Sequence, residues 1–136
     1  MGFVYENITL KNATDVVICN RGDIQEGEVR QIKVLAMVDT GAETLIINEE
    51  MQKDLGLYAQ GEKPVALADK SAQMCIVTEP VMIYWKERSA VTRAVVLPGL
   101  DEVLLGAIPL EEMDVMVDPT RQQLVGIHGD QVICRV

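Results

Sequence analysis

Val34-Leu35-Ala36-Met37-Val38-Asp39-Thr40-Gly41-Ala42 is an apolar run that stops on a carboxylate and a glycine. Such a run, bounded by turn residues, reads as a buried strand, here extending from Glu28 to Val38. A second apolar segment follows at Thr44 to Ile47, so the residues between form a tight connection. Each residue of that connection has a chemical use. Asp39 can act as acid or base, Thr40 can anchor the turn through its hydroxyl, and Gly41, lacking Cβ, lets backbone amides approach the carboxylate. Taken alone, an Asp-Thr/Ser-Gly triplet is a moderate signal, since it arises by chance in roughly one domain of this size in twenty. A plain turn is its competitor.

Outward from this stretch, the chain reads as short strands separated by turn residues. Phe3, Tyr5 and Ile8 to Leu10 open an N-terminal strand, and Asn20-Arg21-Gly22-Asp23 reads as a turn. Asn48 caps a short helix with Glu49 and Glu50 in its first turn and Gly56 beyond its end, and Met51 and Leu55 share its inner face. Val65-Ala66-Leu67 and Met74 to Val77 flank the polar piece Ala68-Asp69-Lys70-Ser71 as a hairpin does. Val81 to Trp85 and Ala90 to Leu97 flank Lys86-Glu87-Arg88 in the same way. Pro98-Gly99 turns the chain toward Val103 to Gly106, and Pro109 opens a one-turn helix through Met113. Val115 to Val117, Gln122 to Ile127 and Gln131 to Val136 complete the strands. With only one or two short helices, the expected fold class is all-β in the main, and 136 residues suit a single domain.

Four elements in this order resemble the retropepsin-like aspartic peptidases, in particular small bacterial single-lobe members. The family's Asp-Thr-Gly-Ala loop is matched by residues 39 to 42, and its Leu-Gly-Leu helix end by Leu55-Gly56-Leu57. Its flap hairpin, often Leu-Ala-Asp-Gly-Ser, is matched by Leu67-Ala68-Asp69-Lys70-Ser71, and its apolar-apolar-Gly signature by Leu104-Leu105-Gly106. Pro109 to Asp114 and Val117-Asp118-Pro119 are similar to the segments that follow. The departure is Lys70, which stands where the family commonly has glycine; a positive φ there costs a non-glycine residue about 1 kcal/mol.

The resemblance implies a closed acid-protease barrel, one lobe per chain, that hydrolyses peptide bonds. Asp39, Thr40 and Gly41 would be catalytic, Ala42 and the flap residues Ala68, Asp69, Lys70 and Ser71 would bind substrate, and Leu104, Leu105 and Gly106 would support the loop. The mechanism needs two carboxylates and the chain has one Asp-Thr-Gly, so a two-fold axis beside Asp39 must supply the second in a homodimer. The expected substrate is an extended peptide or unfolded protein, and no metal or organic cofactor is required. A catalytically inactive peptide-binding module on the same scaffold is the alternative, suggested by Lys70; an acidic interaction domain is a further one.

Composition narrows the partners. Net charge is −9, from 12 basic and 21 acidic residues scattered along the chain, which argues against a nucleic-acid partner. Cys19, Cys75 and Cys134 are odd in number and form no Cys-x-x-Cys pair; they read as small buried hydrophobes in a reducing compartment, the cytoplasm. Residues 1 to 10 lack the basic-then-apolar pattern of a signal peptide, and no apolar run is long enough to span a membrane. His128, the only histidine, reads as an exposed turn residue in preference to a triad partner of Cys134 or Cys75. Tyr84-Trp85, Met113 and Met116 read as core, and Glu49-Glu50 and Glu111-Glu112 as capping and solvated groups.

Overall fold

The computed structural model describes residues 2–136. Nine strands account for nearly half of it: β1 (Val4–Asn12), β2 (Gln31–Val38), β3 (Leu45–Ile47), β4 (Ala59–Ala66), β5 (Ala72–Trp85), β6 (Arg88–Val96), β7 (Val103–Leu105), β8 (Val115–Asp118) and β9 (Gln123–Gly126). Alternation builds the barrel. Val4, Ile8 and Leu10 of β1 point inward, as do Ala36 and Val38 of β2 and Val81, Ile83 and Trp85 of β5. The main sheet runs β1-β2-β7-β3-β6-β5-β4, and β1 also pairs with β5, so six strands close a ring and β4 hangs outside it. The chain is thus a mainly β, closed mixed barrel. Leu10, Leu45, Ile47, Leu55, Ile83, Leu105 and Met113 fill its centre with almost no exposure.

β7 lies between β2 and β3, parallel to the first (Met37 opposite Leu104) and antiparallel to the second (Leu45 opposite Leu105). The connection from β2 to β3 must therefore arch over the end of β7. That topological requirement puts residues 39 to 44 directly against residue 106.

β5 is one strand of 14 residues rather than two. Met74 to Val77 and Val81 to Trp85, separate segments in the sequence reading, are joined through Thr78-Glu79-Pro80, and a register shift between Val77 and Pro80 absorbs the proline, which belongs at such bulges. The first half of β5 carries the β4 hairpin and the second half seals the barrel against β1.

Three helices are present where one or two were expected: α1 (Ala13–Asn20), α2 (Glu49–Asp54) and α3 (Ala107–Glu112), with a one-turn 3-10 helix at Glu26–Glu28. α1 has a β-branched centre, Val16-Val17-Ile18, that hides it in the sequence. Its ends override that bias. Asn12, fully buried, accepts the Asp15 amide at 3.1 Å and donates to the Leu55 carbonyl at 2.9 Å. Asp15 in turn receives Arg30 Nε at 2.8 Å, Nη2 at 2.9 Å and the Arg30 amide at 3.0 Å. The guanidinium lies over Gly56 (φ +62), where a Cβ would sit 1.9 Å from Nη1. This network fixes α1 to the end of α2.

Other expectations are corrected. Gln131 to Val136 forms no strand, only an isolated bridge between His128 and Gln131. Met116 is exposed while Met113 is fully buried, and of the cysteines only Cys75 is buried. Trp85 is core, but Tyr84 faces outward, and Glu112 accepts the Val91 amide at 2.6 Å instead of standing free in solvent. No helix among the described residues is long and apolar enough to cross a membrane.

The Arg30 hydrogen bonds hold the Asp15 carboxyl below the usual carboxylate range. A depressed folded-state value stabilises the fold above the unfolded value, about 3.9, and that contribution is lost as pH falls through the folded value. Asp15→Asn should therefore destabilise by about 1–2 kcal/mol at neutral pH. The deficit, measured by urea unfolding, should shrink toward zero in strong acid.

Candidate active site

Asp39 is the first residue after β2. Its amide donates to the Leu105 carbonyl at 3.0 Å, which continues the parallel β2–β7 ladder by one bond and aims the carboxylate out of the barrel end. The Ala42 amide donates to the Asp39 carbonyl at 3.0 Å, closing a turn, and the Gly41 amide donates to Asp39 Oδ1 at 2.9 Å. A Cβ on Gly41 would come within 3.2 Å of that same oxygen, so glycine admits the amide at close range. Asp39 and Ala42 are half-buried, and Thr40 and Gly41 are exposed.

The loop is fastened from beneath. Ala107 donates to the Ala42 carbonyl at 2.8 Å and Ile108 to the Glu43 carbonyl at 2.9 Å, so the start of α3 satisfies the loop's inward-facing carbonyls. Gly106 passes between them. A Cβ there would lie 2.3 Å from the Thr44 carbonyl oxygen and 2.6 Å from that of Ala42, distances no side chain tolerates. Leu105 is fully buried and Leu104 half-buried beside it. Residues 39 to 42 and 104 to 106 thus form one backbone-packed unit. Thr44, buried, adds contacts of 3.1 Å to the Thr92 hydroxyl and 3.3 Å to the Arg93 carbonyl, tying the loop to β6.

β4 and the first half of β5 form the hairpin, with residues 67 to 71 at its tip. Leu67 donates to the Ser71 carbonyl at 2.8 Å, Lys70 donates to that of Leu67 at 2.9 Å, and Lys70 has φ +70. This is a three-residue hairpin loop whose last residue takes the left-handed conformation. Lys70 adopts the glycine geometry at its steric cost, so the hairpin shape survives the departure. Asp69 Oδ1 offsets part of that cost by accepting the Ser71 amide at 2.9 Å and hydroxyl at 2.5 Å, which lowers the Asp69 carboxyl from its ordinary value.

An open cleft of about 440 Å³ separates the loop from the hairpin. Gly41, Ala42, Glu43 and Thr44 line one side, and Lys63, Pro64, Val65 and Ala66 of β4 the other. The tip residues Ala68, Asp69, Lys70 and Ser71 lie beyond this wall. Of β4 the sequence reading took in only Val65 and Ala66; the earlier residues escaped it because Gly61, Lys63 and Pro64 disguise the strand, and the alternation of Lys63 with Val65 was their one signal.

His128 is not a free turn residue: its Nδ1 lies 2.6 Å from Asp114 Oδ2. That contact, with the Ile133 amide at 3.1 Å, holds the buried Asp114 carboxyl below its ordinary value. Cys75 is buried in β5, and burial pushes its thiol up, the reverse of what a nucleophile needs. Among the described residues no group of three or more His, Cys, Asp or Glu could hold a metal ion.

A closed barrel whose Asp-Thr-Gly loop is packed by backbone onto an apolar-apolar-Gly strand end defines the retropepsin-like aspartyl proteases. The chain belongs to the family described as "gag-polyprotein putative aspartyl protease", whose sequence profile matches residues 25–112. Among solved structures, it is similar to the EIAV protease in complex with an inhibitor, at 22% identity over 73% of this chain and 77% of that one, TM-score 0.47. It is also similar to a retropepsin-like aspartic protease from Rickettsia conorii, at 22% identity over 86% and 77% of the two chains, TM-score 0.48. No curated protein matches the chain. The membership rests on the family match.

Gly106→Ala should force the loop and β7 apart and destabilise by about 2–4 kcal/mol. Urea unfolding measures the loss; Gly27→Ala, where a Cβ meets nothing within 4 Å, should be close to neutral.

Proposed function

We propose that the chain is an aspartic endopeptidase whose reacting centre is a pair of Asp39 carboxylates, one from each subunit of a homodimer. The observation that supports this best is the Asp39 loop: the carboxylate sits at an open barrel end, oriented by the Gly41 amide and beside a peptide-sized cleft. One such loop per chain is half of a two-carboxylate device, and a two-fold axis beside it completes the device with no second motif.

Two carboxylates a few Å apart do not both ionise, so the pair holds one proton and titrates as a unit. The ionised member takes a proton from a water between the two as that water attacks the scissile carbonyl carbon. The protonated member donates to the carbonyl oxygen, and protonation of the departing nitrogen then completes cleavage. Thr40 anchors the turn from each subunit. The hairpin of β4 and β5, with Ala68 to Ser71 at its tip, covers an extended substrate bound in the cleft lined by Ala42, its backbone pairing in the manner of an added strand. Residues 1–136 act as one domain on this reading, and the three unpaired cysteines suit a reducing compartment such as the cytoplasm.

Asp39→Asn should abolish cleavage of an unfolded protein substrate, by at least about a hundredfold, while sedimentation shows wild type and variant equally dimeric. A variant that cleaves at the wild-type rate, or a wild type that is active as a monomer, contradicts the proposal. Wild-type activity should rise between neutral pH and about pH 5, as the pair gains its shared proton; a flat profile would speak against a shared proton.

A further inference from the structure

The outer wall of the barrel carries a second feature, away from the Asp39 loop. Where β1, β2 and the second half of β5 pair, alternation turns Asn7, Thr9, Lys11, Lys33, Leu35 and Tyr84 outward. Glu79, at the start of this half of β5, is buried against Thr14 and Tyr58; the strand segments and the adjoining Lys86 otherwise contain one carboxylate, Glu6, and it is spent elsewhere. It accepts Trp85 Nε1 at 3.2 Å and the Leu124 amide at 2.8 Å. In a chain with 21 acidic residues, this face presents three lysines, and the depression between Lys33 and Lys86 is lined by no carboxylate. Glu26, Glu87 and Glu102 flank it at its margins, and Glu102 accepts the Tyr5 hydroxyl at 2.9 Å.

The lysines are positioned and unpaired. Lys11 Nζ lies 5.0 Å from the centre of the Tyr84 ring and Lys86 Nζ 4.7 Å from that of Trp85, while the ion pairs among the described residues involve other groups. Lys86 holds its place at a backbone φ of +52, a conformation that favours glycine. Lys33 stands opposite Thr9, and Thr9 opposite Tyr84, so the cation and the ring border one depression of about 400 Å³ that also takes in Leu35 and Lys86. Leu35 is 54% exposed there.

We infer that this face of β1, β2 and β5 is a docking surface for an acidic polypeptide segment, one that alternates carboxylates with apolar side chains. The lysines meet the carboxylates, and Leu35 and the Tyr84 ring meet the apolar groups. A nucleic acid fits less well, because its continuous phosphates would leave Leu35, 54% exposed, without an apolar partner. Lys33 precedes Asp39 by six residues on one extended strand, roughly 20 Å. A segment bound here leaves the loop and its cleft free. The inference goes beyond the peptidase reading and does not depend on it; in a peptidase the surface would capture long substrates at a distance from the scissile bond.

The test is fluorescence anisotropy of the Asp39→Asn chain with a fluorescein-labelled peptide of glutamates interspersed with leucines. Binding is expected, weaker as salt is added, and weaker by about tenfold in Lys33→Glu combined with Lys86→Glu. A matched peptide with lysines in place of the glutamates should lose no affinity in the same variants. Lys33→Glu alone, at an exposed strand position, gives a smaller loss in the same direction should the Lys86 turn fail to fold, and circular dichroism checks each variant. Unchanged affinity in the reversal variants overturns the inference, as does an oligonucleotide displacing the peptide at equal charge. Binding is read without the Asp39 carboxylate, so failure here leaves the peptidase proposal standing, and failure of cleavage leaves this one standing.

Discussion

Everything at the open end of this barrel depends on a backbone-to-backbone approach that only glycine allows. The arch from β2 to β3 must cross the end of β7, and at Gly106 the two chains come so close that a Cβ would lie 2.3 Å from the Thr44 oxygen. The reward for that approach is three hydrogen bonds, Asp39 to Leu105, Ala107 to Ala42 and Ile108 to Glu43. They leave the arch with its inward carbonyls satisfied and its carboxylate facing out. A loop held by its own backbone needs little from neighbouring side chains, which is why Thr40 and Gly41 can be exposed and still fixed.

The rest of the molecule secures this arrangement. Closure of β1 onto both β2 and β5 removes the free edges of the ring; of the main sheet only β4 remains outside, as one arm of the hairpin beside the cleft, while β8 and β9 pair as a separate two-stranded sheet. The Asn12, Asp15 and Arg30 network locks α1 and the end of α2 at the other side of the barrel. Rigid ring and pendant hairpin divide the labour. The ring holds the acid in place, and the hairpin, whose β4 arm is exposed along most of its length, is the part that the proposed reading closes over a substrate.

Much of this was legible in the sequence because the decisive signals are local. Asp39-Thr40-Gly41 after an apolar run, Leu104-Leu105-Gly106, and the polar piece between Leu67 and Ser71 each state their backbone geometry in a few residues. What stayed hidden depends on distant partners. α1 is helical against the preference of Val16, Val17 and Ile18, because Asn12 caps it and Asp15 anchors it to Arg30. β5 runs through Pro80 because a bulge spares the missing donor. The C-terminal residues look like a strand by composition, but they pair with no strand beyond the His128–Gln131 bridge; Asp114 holds this end through its carboxylate contacts to the His128 ring and the Ile133 amide instead. Lys70 is the reverse case, a residue that seemed wrong for its turn and adopts the turn regardless.

The central claim is that each reacting centre draws one carboxylate from each of two chains, and a mixing experiment tests it most directly. Wild type and Asp39→Asn are combined at constant total concentration, allowed to exchange subunits, and assayed for cleavage. Mixed dimers carry a single carboxylate, so activity should fall with the square of the wild-type fraction. Activity that falls in direct proportion to that fraction would mean that one chain suffices, and would contradict the account.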